Sequence, residues 1–151
     1  MIRYRTFAFA LAVALLGACT TGETQAQQSQ NKTLYQRLGG YDAIAAVTDD
    51  FMARMGGDPQ VNHFFGGISA DSQRRLRQLI VDLLCQTSGG PCLYTGRTMK
   101  QSHTGLKITE ADWNEAAANL TASLDKFKVP AREKNEVLAI VTNLKPDIVE
   151  K

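Results

Sequence analysis

His103 closes the run Met99-Lys100-Gln101-Ser102-His103, four residues after the apolar Met99 and just before Thr104-Gly105. It is one of only two histidines in 151 residues. A neutral imidazole can give one ring nitrogen to a metal while the other donates a hydrogen bond that fixes the tautomer. At the end of a short helix backed by an apolar side chain, that chemistry suits a proximal haem ligand. The competing reading is an incidental polar residue, so the rest of the chain decides.

Cysteine carries the other reactive chemistry. Cys85 and Cys92 are the only thiols besides Cys19. Cys85 falls near the end of a helical pattern and Cys92 just past Gly89-Gly90-Pro91, where the chain doubles back. In an oxidising compartment a bond between them would staple the helix end to its following loop; two free thiols are the other reading. No Cys-x-x-Cys-His run occurs to attach a haem covalently, and neither spacing nor histidine count suggests a zinc site.

The first residues read as an address. Arg3 and Arg5 precede an unbroken apolar run from Phe7 to Leu16, too short to span a bilayer comfortably. Leu16-Gly17-Ala18-Cys19 then resembles the lipobox of bacterial lipoproteins, which implies a signal peptide over 1–18 and a lipidated Cys19. Thr20, where inner-membrane retention would want an aspartate, implies the outer membrane facing the periplasm. Residues 19–31 read as a polar tether, since nothing after Cys19 there can be buried. The remainder, 32–151, is long enough for one domain with one core.

Charge excludes one class of partner. The whole chain carries a formal +2, but removing Arg3 and Arg5 lowers Lys plus Arg from 17 to 15, matching 15 Asp plus Glu. A mature chain without net charge gives no electrostatic case for nucleic-acid binding.

The elements that must position His103 are helices throughout. The pattern predicts a short helix over Thr33–Arg37 ending at Gly39-Gly40, and a longer one over Tyr41–Met55 ended by Gly56-Gly57-Asp58-Pro59. Val61–Phe65 is a short apolar segment. Over Asp71–Ser88, Leu76, Leu79, Ile80, Leu83 and Leu84 recur on one helical face. Cys92–Lys107 is loop-rich, with a turn or two of helix around Met99–His103. Thr109 to Asp112 has the form of a capping box opening a helix striped by Trp113, Ala116, Ala117, Leu120, Leu124 and Phe127. Pro130 suits the first turn of a last helix bearing Val137, Ile140, Val141 and Leu144. An all-α domain with so long an irregular stretch between two good helices needs something to organise it, and a bound cofactor would.

From Leu34 to about Val149 the chain resembles the group I truncated haemoglobins. The resemblance rests on an ordered set: Leu34-Tyr35-Gln36-Arg37-Leu38-Gly39-Gly40, Asp49-Asp50-Phe51, Asp58-Pro59 with His63-Phe64-Phe65, Gly89-Gly90-Pro91, Tyr94-Thr95-Gly96, Met99-Lys100 and His103. It implies a 2-on-2 helical sandwich around haem b (iron protoporphyrin IX), with His103 as the iron ligand. It also implies that Phe51, Phe65, Tyr94, Met99 and Trp113 line the cofactor, joined by Leu76, Ile80, Leu83 and Leu84. Arg97 and Lys100 lie near enough in sequence to pair with haem propionates; solvated charge is the other reading.

One departure bears on function. Where such proteins usually carry a distal tyrosine that donates to the gas ligand, this chain has Met52. The distal positions counted back from Gly89-Gly90 are Leu76 and Ile80, so the expected pocket is apolar unless Gln73 or Gln78 swings inward. The resemblance therefore implies reversible binding of oxygen, nitric oxide or carbon monoxide, with fast oxygen release. Two alternatives remain: a haem enzyme (nitric oxide dioxygenase or peroxidase-like) working with an unidentified reductase, or a six-coordinate electron-transfer protein with Met52 or His63 opposite His103. A haemless helical lipoprotein is the third.

Overall fold

Four of the helices begin at a Ser or Thr whose hydroxyl accepts from an otherwise orphan amide. The computed structural model describes residues 32–150; the expected leader, Cys19 and the tether to residue 31 lie outside the described residues. Thr33 caps α1 (Leu34–Leu38) in a capping box with Gln36. α2 (Tyr41–Gly57) follows directly from Gly40, and a 3-10 turn spans Asn62–Phe65. Ser69 caps α3 (Ala70–Thr87). Thr98 and Gln101 box the five-residue α4 (Met99–His103), and Thr109 and Asp112 box α5 (Glu110–Lys126) as the sequence predicts. Pro130 sits at the start of α6 (Ala131–Thr142), and a last 3-10 turn covers Lys145–Asp147. Among the described residues there is no strand, in keeping with the expected all-α class.

The end of α2 departs from expectation. Gly56 and Gly57 stay in the helix and neither takes a positive φ. The break comes at Asp58, extended at φ −82° and ψ 119°. Proline disfavours helical backbone in the residue before it, so Pro59 ends this helix through Asp58 rather than a left-handed glycine cap.

α2 packs against α3 on one side and α5 on the other, while α6 packs on α5 and α1. It serves both neighbours because it is apolar on two faces. Ile44 and Ala45 join Val81 and Cys85 of α3, whereas Val47 joins Leu34, Leu120, Leu124 and Val137. Polar groups inside this framework are answered: buried Thr48 donates to the Ile44 carbonyl at 2.9 Å, and buried Ser123 to that of Asn119 at 3.1 Å. Arg37, anchored to both Glu133 and Glu136, ties α1 to α6. The two core clusters leave a cavity where the remaining apolar faces of α2, α3 and α5 converge.

Cys85 and Cys92 are joined as a disulfide, with Cα atoms 5.7 Å apart. Of the two sequence readings, the staple is the one the structure adopts. Gly90 makes the required turn: a Cβ there would lie 2.5 Å from the Tyr35 ring and 2.8 Å from the Cys85 carbonyl oxygen, so only glycine fits.

Candidate functional site

The cavity has a volume of about 410 Å³ and is walled almost entirely by hydrocarbon. α2 supplies Phe51, Met52 and Met55; α3 supplies Leu76, Leu79, Ile80, Leu83 and Leu84. α5 adds Trp113, Ala116, Ala117 and Leu120, while Tyr94, Met99 and His103 come from the opposite, loop-rich segment. Phe65, from the 3-10 turn, completes the set. His103 and every residue the resemblance assigns to the cofactor's apolar lining therefore border this one space. The five aliphatic residues of the α3 stripe remain only half-buried, so their apolar surface faces an interior not filled by the chain itself.

His103 is the chemically distinctive member. Its Nδ1 lies 2.8 Å from the Met99 carbonyl oxygen. A carbonyl can only accept, so Nδ1 carries the proton and Nε2 keeps its lone pair. The short helix that presents it is held at both ends. Before it, Thr98 accepts from the Gln101 amide at 3.2 Å and Gln101 accepts in return from the Thr98 amide at 3.2 Å. After it, the Glu150 carboxylate accepts from the amides of Gly105 and Lys107, each at 2.7 Å. Those two bonds support Lys107 in its left-handed conformation, φ 57°, which a non-glycine residue rarely adopts.

The polar groups near the cavity are already engaged. Tyr94 donates its hydroxyl to the Arg97 carbonyl at 2.6 Å, and burial pushes its phenol pKa upward. Asp112 is turned to its own helix start, where the Thr109 backbone amide and then its hydroxyl hold the carboxyl below its usual range. Among the other lining residues, Met52, Leu76 and Ile80 contribute no donor. Gln78 points away: its amide nitrogen lies 2.8 Å from the Tyr41 hydroxyl and 2.9 Å from the Asp82 carboxylate. Gln73 borders a polar outer groove that meets the cavity's residues only at Met52, beside the Arg77–Asp49 ion pair. His63 is exposed, tilted against the Phe64 ring at 4.0 Å, and does not border the cavity. Arg97 and Lys100 are exposed and likewise outside the lining.

A wide apolar slot with one bare imidazole nitrogen fits a flat apolar macrocycle that carries its own metal. A single histidine would supply one ligand, so the metal's remaining donors would have to come with it. Residues 33–150 match the family described as bacterial-like globin. The chain belongs to the bacterial-like globin family.

Curated relatives refine this globin's neighbourhood. It is 32% identical over 122 residues to the group 1 truncated hemoglobin GlbN of Mycolicibacterium paratuberculosis, covering 81% of this chain and 88% of the relative. The corresponding protein of a Nostoc species is 32% identical over 119 residues, covering 79% and 98%. Among solved structures, the truncated hemoglobin of Tetrahymena pyriformis in its Fe(III) form superposes with a TM-score of 0.73. That pair is 27% identical, covering 80% of this chain and all of the other. The globin's fold is thus the 2-on-2 helical sandwich of truncated haemoglobins, as the sequence implies.

Some lining residues of this globin escape sequence reasoning. Leu79, Ala116, Ala117, Leu120, Val141 and Leu144 are legible as helix stripes but not as cavity wall. Ile108 and Ile148 close the floor from turns, where no periodicity marks them, and Phe64 and Ile68 flank the linker into α3. Adjacency to Phe65 is the one signal that could have found Phe64.

Proposed function

We propose that this globin holds haem b in the cavity through His103 Nε2 and there binds a diatomic gas reversibly. The observation that carries the reading is the 2.8 Å contact from His103 Nδ1 to the Met99 carbonyl, which leaves Nε2 as the lone-pair nitrogen of an imidazole bordering an apolar slot. Bound there, the cofactor would supply iron with a coordination position open to a small ligand. The chain does the rest: the Met99 carbonyl fixes the imidazole tautomer, and Phe51, Phe65 and the α3 aliphatic residues exclude water.

The distal wall sets which gas is favoured. A ligand that draws negative charge onto its outer atom, as dioxygen does, gains about 1–3 kcal/mol from a hydrogen-bond donor. Met52, Leu76 and Ile80 offer none, and Gln78 is committed to Tyr41 and Asp82. Carbon monoxide and nitric oxide stay nearly neutral and need no donor. Nitric oxide dioxygenation and peroxidase-like chemistry want a donor or an acid–base group on that side, so gas binding is the stronger reading than either enzyme.

The protein is exported and anchored in the cell envelope through lipidated Cys19, in the outer membrane facing the periplasm. Arg3, Arg5, the apolar run to Leu16 and the cysteine behind it support this, as does a disulfide of the kind oxidising compartments sustain. Cys19→Ser should abolish labelling by a fatty-acid probe.

Haem titration into the cofactor-free protein tests the site. One equivalent should saturate a Soret band, and His103→Ala should weaken uptake by about 10–100-fold or more. Equal affinity in the variant would remove His103 from the role.

A further inference from the structure

The segment 91–98, which bridges α3 and α4, is capped onto α4 through Thr98 but fastened to α3 at very few points. Its residues form no helix or strand. Pro91, Leu93, Thr95, Arg97 and Thr98 are exposed, Leu93 to 72%. Among the described residues, its hydrogen bond to α3 runs from the Tyr94 amide to Gln86 Oε1 at 2.6 Å. The Tyr94 hydroxyl turns back within the segment, to the Arg97 carbonyl. Its other attachment to α3 is covalent: Cys92, half-buried on the cluster that Ile44, Ala45, Val81 and Cys85 form, is bonded to fully buried Cys85.

Both ends of that bond adjoin the cavity wall. Leu84, directly before Cys85, lines it from α3; Tyr94, two residues after Cys92, lines it from the segment. Past Tyr94 the same segment leads into α4 and His103. The cross-link therefore bears on the spacing between the wall built by α3 and the edge that carries Tyr94.

We propose that the Cys85–Cys92 disulfide is a clasp on the haem cavity, positioning Tyr94 against the cofactor, and that a dithiol reductant opens it. This rests on the haem reading above. In the opening step the S–S bond breaks, and each sulfur gains one electron and one proton, giving two thiols. The dithiol is oxidised to its own disulfide. With the bond gone, the exposed Tyr94–Gln86 hydrogen bond is left to hold the segment, and such a bond competes with water. The cavity then opens along this edge while α2, α3 and α5, which the disulfide does not join to one another, keep their packing.

The test compares the full-length haem-loaded protein with its disulfide intact, reduced in place by a dithiol, and re-oxidised, beside a Cys85→Ser/Cys92→Ser double variant. Two readouts are followed: amide hydrogen exchange over residues 91–103, and haem transfer to an excess of apomyoglobin. Reduction should speed exchange selectively in that stretch and raise the haem-loss rate by about tenfold, both reversing on re-oxidation. Tyr94→Ala should raise haem loss in the oxidised protein and add little in the reduced one, a non-additivity that a merely stabilising cross-link would not produce. Unchanged exchange over 91–103 on reduction overturns the clasp, as does unchanged haem loss in a protein that binds haem. Exchange can also be read without the cofactor, so faster exchange on reduction in a chain that takes up no haem would uphold the hold on the segment and overturn the haem reading instead. Should the double variant fail to fold, the reduced wild-type protein gives the same comparison.

Discussion

Gln78 and Tyr41 are bonded across the α2–α3 interface, amide nitrogen to phenol oxygen at 2.8 Å, with Asp82 drawing on the same amide at 2.9 Å. This contact keeps a long polar side chain of α3 out of the cavity, which Met52, Leu76 and Ile80 line without offering a donor. The consequence is a site in which a charge-separated ligand finds no partner.

Supplying a donor should reverse that preference. Met52→Tyr or Ile80→Gln is expected to slow dioxygen dissociation by about tenfold, the effect of one hydrogen bond of roughly 1–1.5 kcal/mol. Carbon monoxide dissociation should change far less. Stopped-flow ligand displacement measures both, and a parallel change in the two rates would count against a missing donor.

Two glycines should respond to the same substitution in opposite ways. A Cβ at Gly90 meets the Tyr35 ring and the Cys85 sulfur and carbonyl oxygen, so Gly90→Ala should destabilise by about 1–3 kcal/mol through overpacking. Gly56 has helical backbone and nothing within 4 Å of the added carbon, so Gly56→Ala should stabilise by about 0.5–1 kcal/mol. Denaturant midpoints would show the two shifts, and a stabilised Gly90→Ala would refute the packing described around the disulfide.

Acid should unfold the domain through its paired aspartates. Lys126, and after it Arg54, hold the Asp50 carboxyl well below the usual carboxylate range; Arg77 does the same for Asp49. A carboxyl whose pKa is lower in the folded state adds stability above its unfolded value, and that stability is lost as pH falls through the carboxylate range. Glu115, raised by its hydrogen bond to Asp58, runs the other way, contributing at low pH and losing it as pH rises. The lowered groups act together, so thermal midpoints should fall progressively as pH drops below about 5. Asp50→Asn should flatten part of that drop.

Removing the Thr109 cap isolates the start of α5. Its hydroxyl accepts from the Asp112 amide at 3.2 Å while Asp112 accepts from the Thr109 amide at 3.0 Å. Thr109→Ala should cost about 1 kcal/mol, read as a lowered melting temperature with little change in ligand kinetics.

Much of this architecture is legible in the residues because its signals are local. Thr109 and Asp112 announce α5, and the Leu76–Leu84 stripe announces α3, since capping and helical periodicity need no distant partner. The end of α2 is misread because two glycines are permissive in a helix as well as in a cap, and the restriction exerted by Pro59 on Asp58 is what decides. Ile108 and Ile148 are invisible beforehand, because turns carry no period. The orientation of Gln78 depends on Tyr41 in another helix, and the pairing of Cys85 with Cys92 on how tightly the chain turns at Gly90; tertiary geometry alone settles both.

The visible spectrum of the ferrous protein, with and without carbon monoxide and beside His103→Ala, tests the central claim most directly. The account predicts a five-coordinate ferrous spectrum that shifts on adding carbon monoxide and is altered in the variant. A six-coordinate ferrous spectrum would contradict it, pointing to an internal second ligand such as Met52 and to electron transfer. The absence of any haem band from protein expressed with ample haem would contradict it outright.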